Sequence, residues 1–438
     1  MKISIFGVGY VGLTTGACLA NLGHEVLCVD VDVHKISALQ EGKVPFYEPG
    51  LQELANQGIR KRRLRFGTSA EEGVQFGEVI FNCVGTPSKG DGSANLDYVF
   101  SVAKVIGEHI NNYKIIVNKS TVPPGTARKT AEIISKYNKQ EIPFDVVANP
   151  EFLREGDAIR AFNYPDKIVV GNNSETSEKA LSIMRKVYSG RMRTYLPMVE
   201  TDWETAELIK YANNSFLATK ISFINEIANI CDLVGADIKM ISMALGLDYR
   251  ISPRFLNPGV GYGGSCFPKD VKALIKTADG KGYPAKLLEE VDALNERQKR
   301  LIVSKIKDQF GQDLKGKVLG ILGLSFKPKT NDMREAPSII IIRELLEAGG
   351  ILRIYDPCAL EEAKLIFGQE VSYCSSVEEA AKNSNALVLV TEWDEFRSIN
   401  FSEVGKLMKE KILFDGRNIY EPELIRDDGF EYVGMGRK

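Results

Sequence analysis

The sequence predicts an α/β protein with two Rossmann-like, doubly wound parallel-sheet domains joined by a long central helix and helical region. Three observations predict it. Short β-branched runs alternate with helical stretches at the start of the chain, helical spacing takes over near residue 201, and a second strand–helix alternation begins after Lys315-Gly316-Lys317. Strands alternating with helices are the pattern of a parallel sheet covered on both faces.

Strands are expected at 2–6, 26–30, 79–84, 115–119 and 144–147. The segment from Glu207-Leu208-Ile209-Lys210-Tyr211-Ala212 through Ile230 carries few turn residues and repeats its apolar positions at helical spacing. It reads as a long helix followed by a helical cluster. In the second alternation Val318-Leu319-Gly320-Ile321-Leu322-Gly323 is the first strand, and further strands fit 386–390 and 412–414. Residues 348–356 parallel residues 22–30: in both, a helix ends at glycine and a strand ends at aspartate, Asp356 and Asp30. The expected domains are 1–200, 201–300 and 301–438.

The 438 residues can bury two or three separate cores. A net charge of -2 gives no field that would draw nucleic acid or an acidic membrane, so neither is expected as a partner. The apolar run at the N-terminus is too short for a signal peptide, and no segment approaches the ~20 apolar residues of a membrane span. A cytoplasmic location is expected. Seven cysteines, an odd number without paired spacing, suit a reducing compartment. With only His24, His34 and His109 available, no metal centre is expected, and acid–base chemistry falls to Lys, Asp and Glu.

Gly7-Val8-Gly9-Tyr10-Val11-Gly12 follows a strand and opens a helix, the context in which GxGxxG binds a dinucleotide. Its glycines allow a tight turn and close approach of backbone N–H groups to a pyrophosphate, which the helix N-terminus attracts. Asp30 ends the second strand, where a carboxylate binds ribose hydroxyls and repels a 2′-phosphate, so NAD is favoured over NADP. Lys35 lies close enough to soften that repulsion or to pair with the ribose. Thr86 and Thr121 stand at later strand ends and are placed to face cofactor or substrate.

Gly261-Tyr262-Gly263-Gly264-Ser265-Cys266-Phe267-Pro268-Lys269-Asp270 carries the chemistry. Lys269 and the helix start implied by Pro268 favour the thiolate of Cys266. An alcohol gives up a hydride directly, but the resulting aldehyde must first gain a nucleophile. Attack by Cys266 yields a thiohemiacetal, then a thioester that water hydrolyses. Lys210 and Asn214, four apart on one helix, share a face and are suited to stabilise oxyanions. Asp270 is suited to orient water and shuttle its proton. In Asn149-Pro150-Glu151-Phe152-Leu153-Arg154-Glu155-Gly156, Glu151 is the candidate base for thioester hydrolysis, and Glu155 orients substrate or loop.

Together these segments resemble the UDP-glucose/GDP-mannose dehydrogenase family, with its UDP-glucose 6-dehydrogenases the nearest match. The resemblance runs nearly end to end, adding Phe326-Lys327, Arg334 and Asp415-Gly416-Arg417 to the motifs above. It implies NAD-dependent, four-electron oxidation of UDP-glucose to UDP-glucuronate. A UDP-N-acetylhexosamine or GDP-mannose is the alternative substrate. It also implies a homodimer built on the long helix, and a cofactor set completed by Tyr10, Val11, Glu155, Lys269 and Arg334. Phe152, Leu153, Arg250, Tyr262, Gly263, Phe326, Lys327 and Arg417 are implied as substrate contacts beside Glu151, Lys210 and Asn214, with Arg417 coming from the partner subunit. Two other classes compete. A two-electron hydroxyacid dehydrogenase would need Lys210 and Asn214 but not Cys266, and a non-catalytic NAD sensor would need no nucleophile at all.

Overall fold

A computed structural model of the chain describes residues 1–173, 177–189 and 197–437. The chain forms two compact units, Met1–Asn213 and Asn214–Lys438.

The first unit is built on β1 (Lys2–Phe6), β2 (Glu25–Val29), β3 (Leu64–Gly67), β4 (Val79–Asn82), β5 (Lys114–Asn118), β6 (Phe144–Ala148), β7 (Ile168–Asn172) and β8 (Met198–Asp202). Their spatial order is β3-β2-β1-β4-β5-β6-β7-β8. Every residue of β4 and β5 is buried, as expected of strands covered on both faces. The order reverses between β1 and β4, the point where a doubly wound sheet opens a ligand crevice.

The strand rhythm marks β1, β2, β4, β5 and β6 but not β3, β7 or β8. β3 and β8 lie at the two sheet edges, where Arg65 and Glu200 face solvent and no continuous apolar run forms. The sheet also departs from the all-parallel expectation. β7 meets β6 in the antiparallel sense at Gly171 and Ala148, and β8 then runs parallel to β7.

The second unit contains β9 (Val318–Leu322), β10 (Ile351–Tyr355), β11 (Ser372–Tyr373), β12 (Ala386–Leu389), β13 (Ile412–Asp415) and β14 (Glu431–Gly434). All are parallel, in the order β11-β10-β9-β12-β13-β14. This repeats the β3-β2-β1-β4-β5-β6 order of the first unit. Helices Ile238–Leu247, Phe267–Asp279 and Lys286–Phe310 precede the sheet.

The long helix is Trp203–Val234. Near its start, the buried Glu207 accepts hydrogen bonds from Gly125 N and Ala127 N, both at 2.7 Å. It thereby caps helix Thr126–Tyr137, whose own N-cap, Gly125, has no side chain to do so. Burial pushes the Glu207 carboxyl up to about 8 from 4.5, against the pull of these N–H donors. Folded chain holds this proton where unfolded chain has lost it, so the contribution to stability is full below pH 4.5 and is lost as pH rises through about 8. Glu207→Ala is expected to cost ~1–2 kcal/mol through the lost cap. Thermal melts should show a wider gap between parent and variant at about pH 5 than at about pH 8.5.

Candidate active site

In the first unit the glycine turn follows β1, and its three glycines differ in use. Gly7 has φ +88°, and a Cβ there would lie 2.8 Å from the Val84 backbone. A Cβ on Gly12 would overlap the Gly7 carbonyl oxygen at 1.8 Å, so strand and helix meet only without side chains. A Cβ on Gly9 would meet nothing within 4 Å. The backbone there borders open space at the start of helix Tyr10–Asn21, which has no side-chain cap. That is the cradle a pyrophosphate needs.

Asp30 follows β2 directly. It accepts hydrogen bonds from Val8 N at 2.7 Å and Asp32 N at 3.0 Å, and Lys35 Nζ lies 3.3 Å away. The turn and the Asp30 carboxylate are therefore one assembly, and these residues fit NAD. Thr86 donates its hydroxyl to the Thr121 carbonyl at 2.9 Å, so it braces the Thr121 loop.

At the end of β6, Glu151 is buried with Lys210. Their side chains are 7% and 4% exposed, and Lys210 Nζ stands 3.2 Å from Glu151 Oε1. The second Glu151 oxygen accepts from Leu153 N. The Phe152 ring lies 5.3 Å from Lys210 Nζ and 4.4 Å from Lys167 Nζ. Glu155 is half-buried further along the same loop. Burial keeps the ammonium and carboxylate locked together.

In the second unit Cys266 is the N-cap of helix Phe267–Asp279, with Pro268 in its first turn. All seven cysteines are free thiols. Cys18, Cys28, Cys83, Cys231 and Cys374 are buried, whereas Cys266 and Cys358 are half-exposed. Burial pushes Cys83 up to about 12 and also raises Cys358. A helix N-terminus favours a thiolate, and Cys266 is the cysteine placed there. Asp270 is buried one turn later; its carboxylate accepts from Asn214 Nδ2 and Lys269 Nζ, each at 2.6 Å. Lys269, expected to act on the thiol, thus shares its charge with Asp270.

The glycine loop before Cys266 is held from several sides. The Phe326 ring packs against Gly264, where a Cβ would lie 2.7 Å from it. Gly264 N donates to the Arg334 carbonyl at 2.9 Å, and the Arg334 guanidinium pairs with Asp332. Lys327 Nζ lies 5.5 Å from the Phe326 ring. Arg417 is 15% exposed, with Nε on the Val390 carbonyl at 2.7 Å and Nη1 on the Gly261 carbonyl at 3.3 Å. Its guanidinium therefore braces the glycine loop of its own chain. Tyr262, expected against substrate, turns its ring into the core formed with Ala218, Val271 and Val291. Arg250 is exposed and paired with Asp248 at 2.5 Å.

Sequence patterns did not reveal the buried amides behind this loop. Asn295 accepts from Tyr262 N at 2.9 Å and donates to the Tyr262 carbonyl at 3.0 Å. Asn225 and Gln298 hold Gly259 N and O in the same way, both at 2.8 Å. The available signal is two polar residues, Asn295 and Gln298, on the apolar face of helix Lys286–Phe310.

The sequence parallel between Asp30 and Asp356 has a different outcome in each sheet. Asp356 is buried and accepts from Leu324 N, Ser325 N, Cys358 N, Ala359 N and Trp393 Nε1. With its oxygens spent internally, Asp356 is not placed as Asp30 is to meet a ribose.

A glycine turn with an aspartate tied to it makes the first unit a dinucleotide domain, and the chain is an NAD-dependent dehydrogenase. Profiles of the UDP-glucose/GDP-mannose dehydrogenase family match it in three successive pieces: the NAD binding domain over residues 1–191, the central domain over 204–297 and the UDP binding domain over 320–422. The chain belongs to that family. It is 44% identical over 436 residues to the UDP-glucose 6-dehydrogenase TuaD of Bacillus subtilis, covering 100% of this chain and 93% of the relative. It is also 44% identical to the UDP-glucose 6-dehydrogenase of Rhizobium meliloti, covering 100% of both chains. A solved UDP-glucose dehydrogenase from Pyrobaculum islandicum superposes with a TM-score of 0.92 at 35% identity, covering 100% of this chain and 98% of that one. Among the described residues no helix is long and apolar enough to cross a membrane.

Proposed function

We propose that the chain oxidises C6 of UDP-glucose to the carboxylate, consuming two NAD and one water and releasing UDP-glucuronate, two NADH and three protons. The observation that carries this reading is Cys266, a half-exposed thiol at a helix N-terminus one turn from an ordered carboxylate. The names of the relatives favour UDP-glucose over other sugar nucleotides.

Bound NAD supplies a hydride acceptor for each oxidation. Lys210 and Asn214 stabilise the oxygen of C6 as its proton leaves. The Cys266 sulfur then adds to the aldehyde carbon, and the adduct's oxygen is held by the same donors. Loss of a second hydride leaves a thioester on Cys266. Asp270 orients the attacking water, Glu151 takes its proton, and the C–S bond breaks with the sulfur leaving as the thiolate that the helix N-terminus favours. Thr121 borders the reacting carbon. Phe152, Leu153, Gly263, Phe326 and Lys327 contact the substrate, as do Arg250 and the partner subunit's Arg417, whose guanidiniums suit a diphosphate.

The proposed division of labour is an NAD domain at 1–200, a dimerisation region at 201–300 and a sugar-nucleotide domain at 301–438. Exposed Phe216, Phe223 and Ile230 recur every seventh residue on the long helix, an apolar stripe suited to a second copy in a homodimer. A cytoplasmic location completes the proposal. With UDP-glucose limiting, absorbance should report two NADH per sugar nucleotide consumed; one NADH, or preferential turnover of GDP-mannose, would overturn it.

A further inference from the structure

The loop at Glu151–Gly156 and the cofactor turn at Gly7–Gly12 share a single backbone N–H. Gly156 N donates both to the Tyr10 hydroxyl oxygen at 2.9 Å and to Glu48 Oε2 at 2.6 Å. The other Glu48 oxygen accepts from Ala158 N at 2.8 Å. Glu48 is 5% exposed and belongs to none of the motifs that mark the active site. Tyr10 opens the helix behind the glycine turn, and its ring lies 5.3 Å from that of Phe46, two residues before Glu48. A carboxylate only accepts hydrogen bonds, so it alone satisfies both N–H groups; an amide would turn its own donors on one of them.

We propose that Glu48 is a positioning residue that couples cofactor binding to the setting of the Glu151–Gly156 loop, so that NAD and the sugar nucleotide tighten each other's binding through Tyr10 and Gly156. A cofactor that orders the turn orders Tyr10, and Tyr10 and Glu48 together hold Gly156 N–H. The loop that carries Glu151, Phe152 and Leu153 is then set before the sugar arrives. Coupling between two ligands is reciprocal, so each strengthens the other by the same factor. The inference rests on the reading that this loop touches the sugar nucleotide.

The test measures NADH binding to the full-length protein by fluorescence, with and without saturating UDP-glucose. Reduced cofactor cannot oxidise the sugar, so the ternary complex is stable. UDP-glucose is expected to tighten NADH by about tenfold in the parent. In Glu48→Gln that factor should fall close to one, with the KM for UDP-glucose rising more than kcat falls. In Tyr10→Phe, which removes only the hydroxyl, the factor should fall part of the way. A Glu48→Gln protein that melts like the parent and keeps its coupling factor would overturn the proposal. If Glu48→Gln does not fold, an unchanged factor in Tyr10→Phe would do so. A parent that binds both ligands without coupling overturns this inference alone, whereas one that binds neither overturns the functional reading with it.

Discussion

Replacing Cys266 with alanine is expected to lower UDP-glucuronate formation by at least about 10³-fold, because an aldehyde has no route to a second hydride loss without a nucleophile. The helix that Cys266 caps has no side-chain cap bond to lose, and Pro268 and the Gly264 to Arg334 backbone bond hold the loop in place. The variant should therefore fold and bind both ligands as the parent does. Rapid quenching of the parent under turnover, followed by intact-mass measurement, should reveal an acyl adduct on Cys266. In Cys266→Ser, esterification at the hydroxyl should trap that adduct or stall the reaction near the aldehyde. A Cys266→Ala enzyme that makes the acid at more than a tenth of the parental rate would remove Cys266 as the nucleophile of the second oxidation.

Lys210→Met should produce the second large effect, and on two quantities at once. Lys210 and Glu151 are buried together, so removal of the ammonium strands a carboxylate whose remaining described partner is Leu153 N. Breaking one side of a buried ion pair costs about 3–5 kcal/mol, readable in chemical denaturation. Loss of an oxyanion donor should lower kcat by about 10²–10³-fold. Glu151→Gln in the same background separates these consequences. With both charges gone, much of the lost stability should return while the activity does not, since the double variant lacks a stranded charge but also the donor and the base. If the two single losses of stability simply add, the pair does not act as a unit.

Much of the site is legible along the chain because its chemistry is local. The glycine turn, Cys266 with Pro268 and Asp270, and Lys210 with Asn214 each lie within about two helical turns, so spacing alone places them on a shared turn or face. Their partners are not local. Glu151 meets Lys210 across 59 positions, Asp270 meets Asn214 across 56, and Glu48 reaches Ala158 across 110. Asn295, Gln298 and Glu207 carry no motif, because any polar residue on a helix reads as solvent-facing until packing shows what it caps or clamps.

Periodicity and motif chemistry were sufficient for the central strands of both sheets, the long helix and the NAD turn, since each of these elements follows from residues close in sequence. Packing alone assigned opposite fates to the two equivalent aspartates. Asp30 stays at the edge of an open turn, whereas Asp356 is consumed by six backbone and side-chain donors. It also turned β7 against its neighbour and drew the ring of Tyr262 inward. A hydrogen-bonding group is committed by whatever the folded chain brings within about 3 Å of it, and that neighbour is usually remote in sequence.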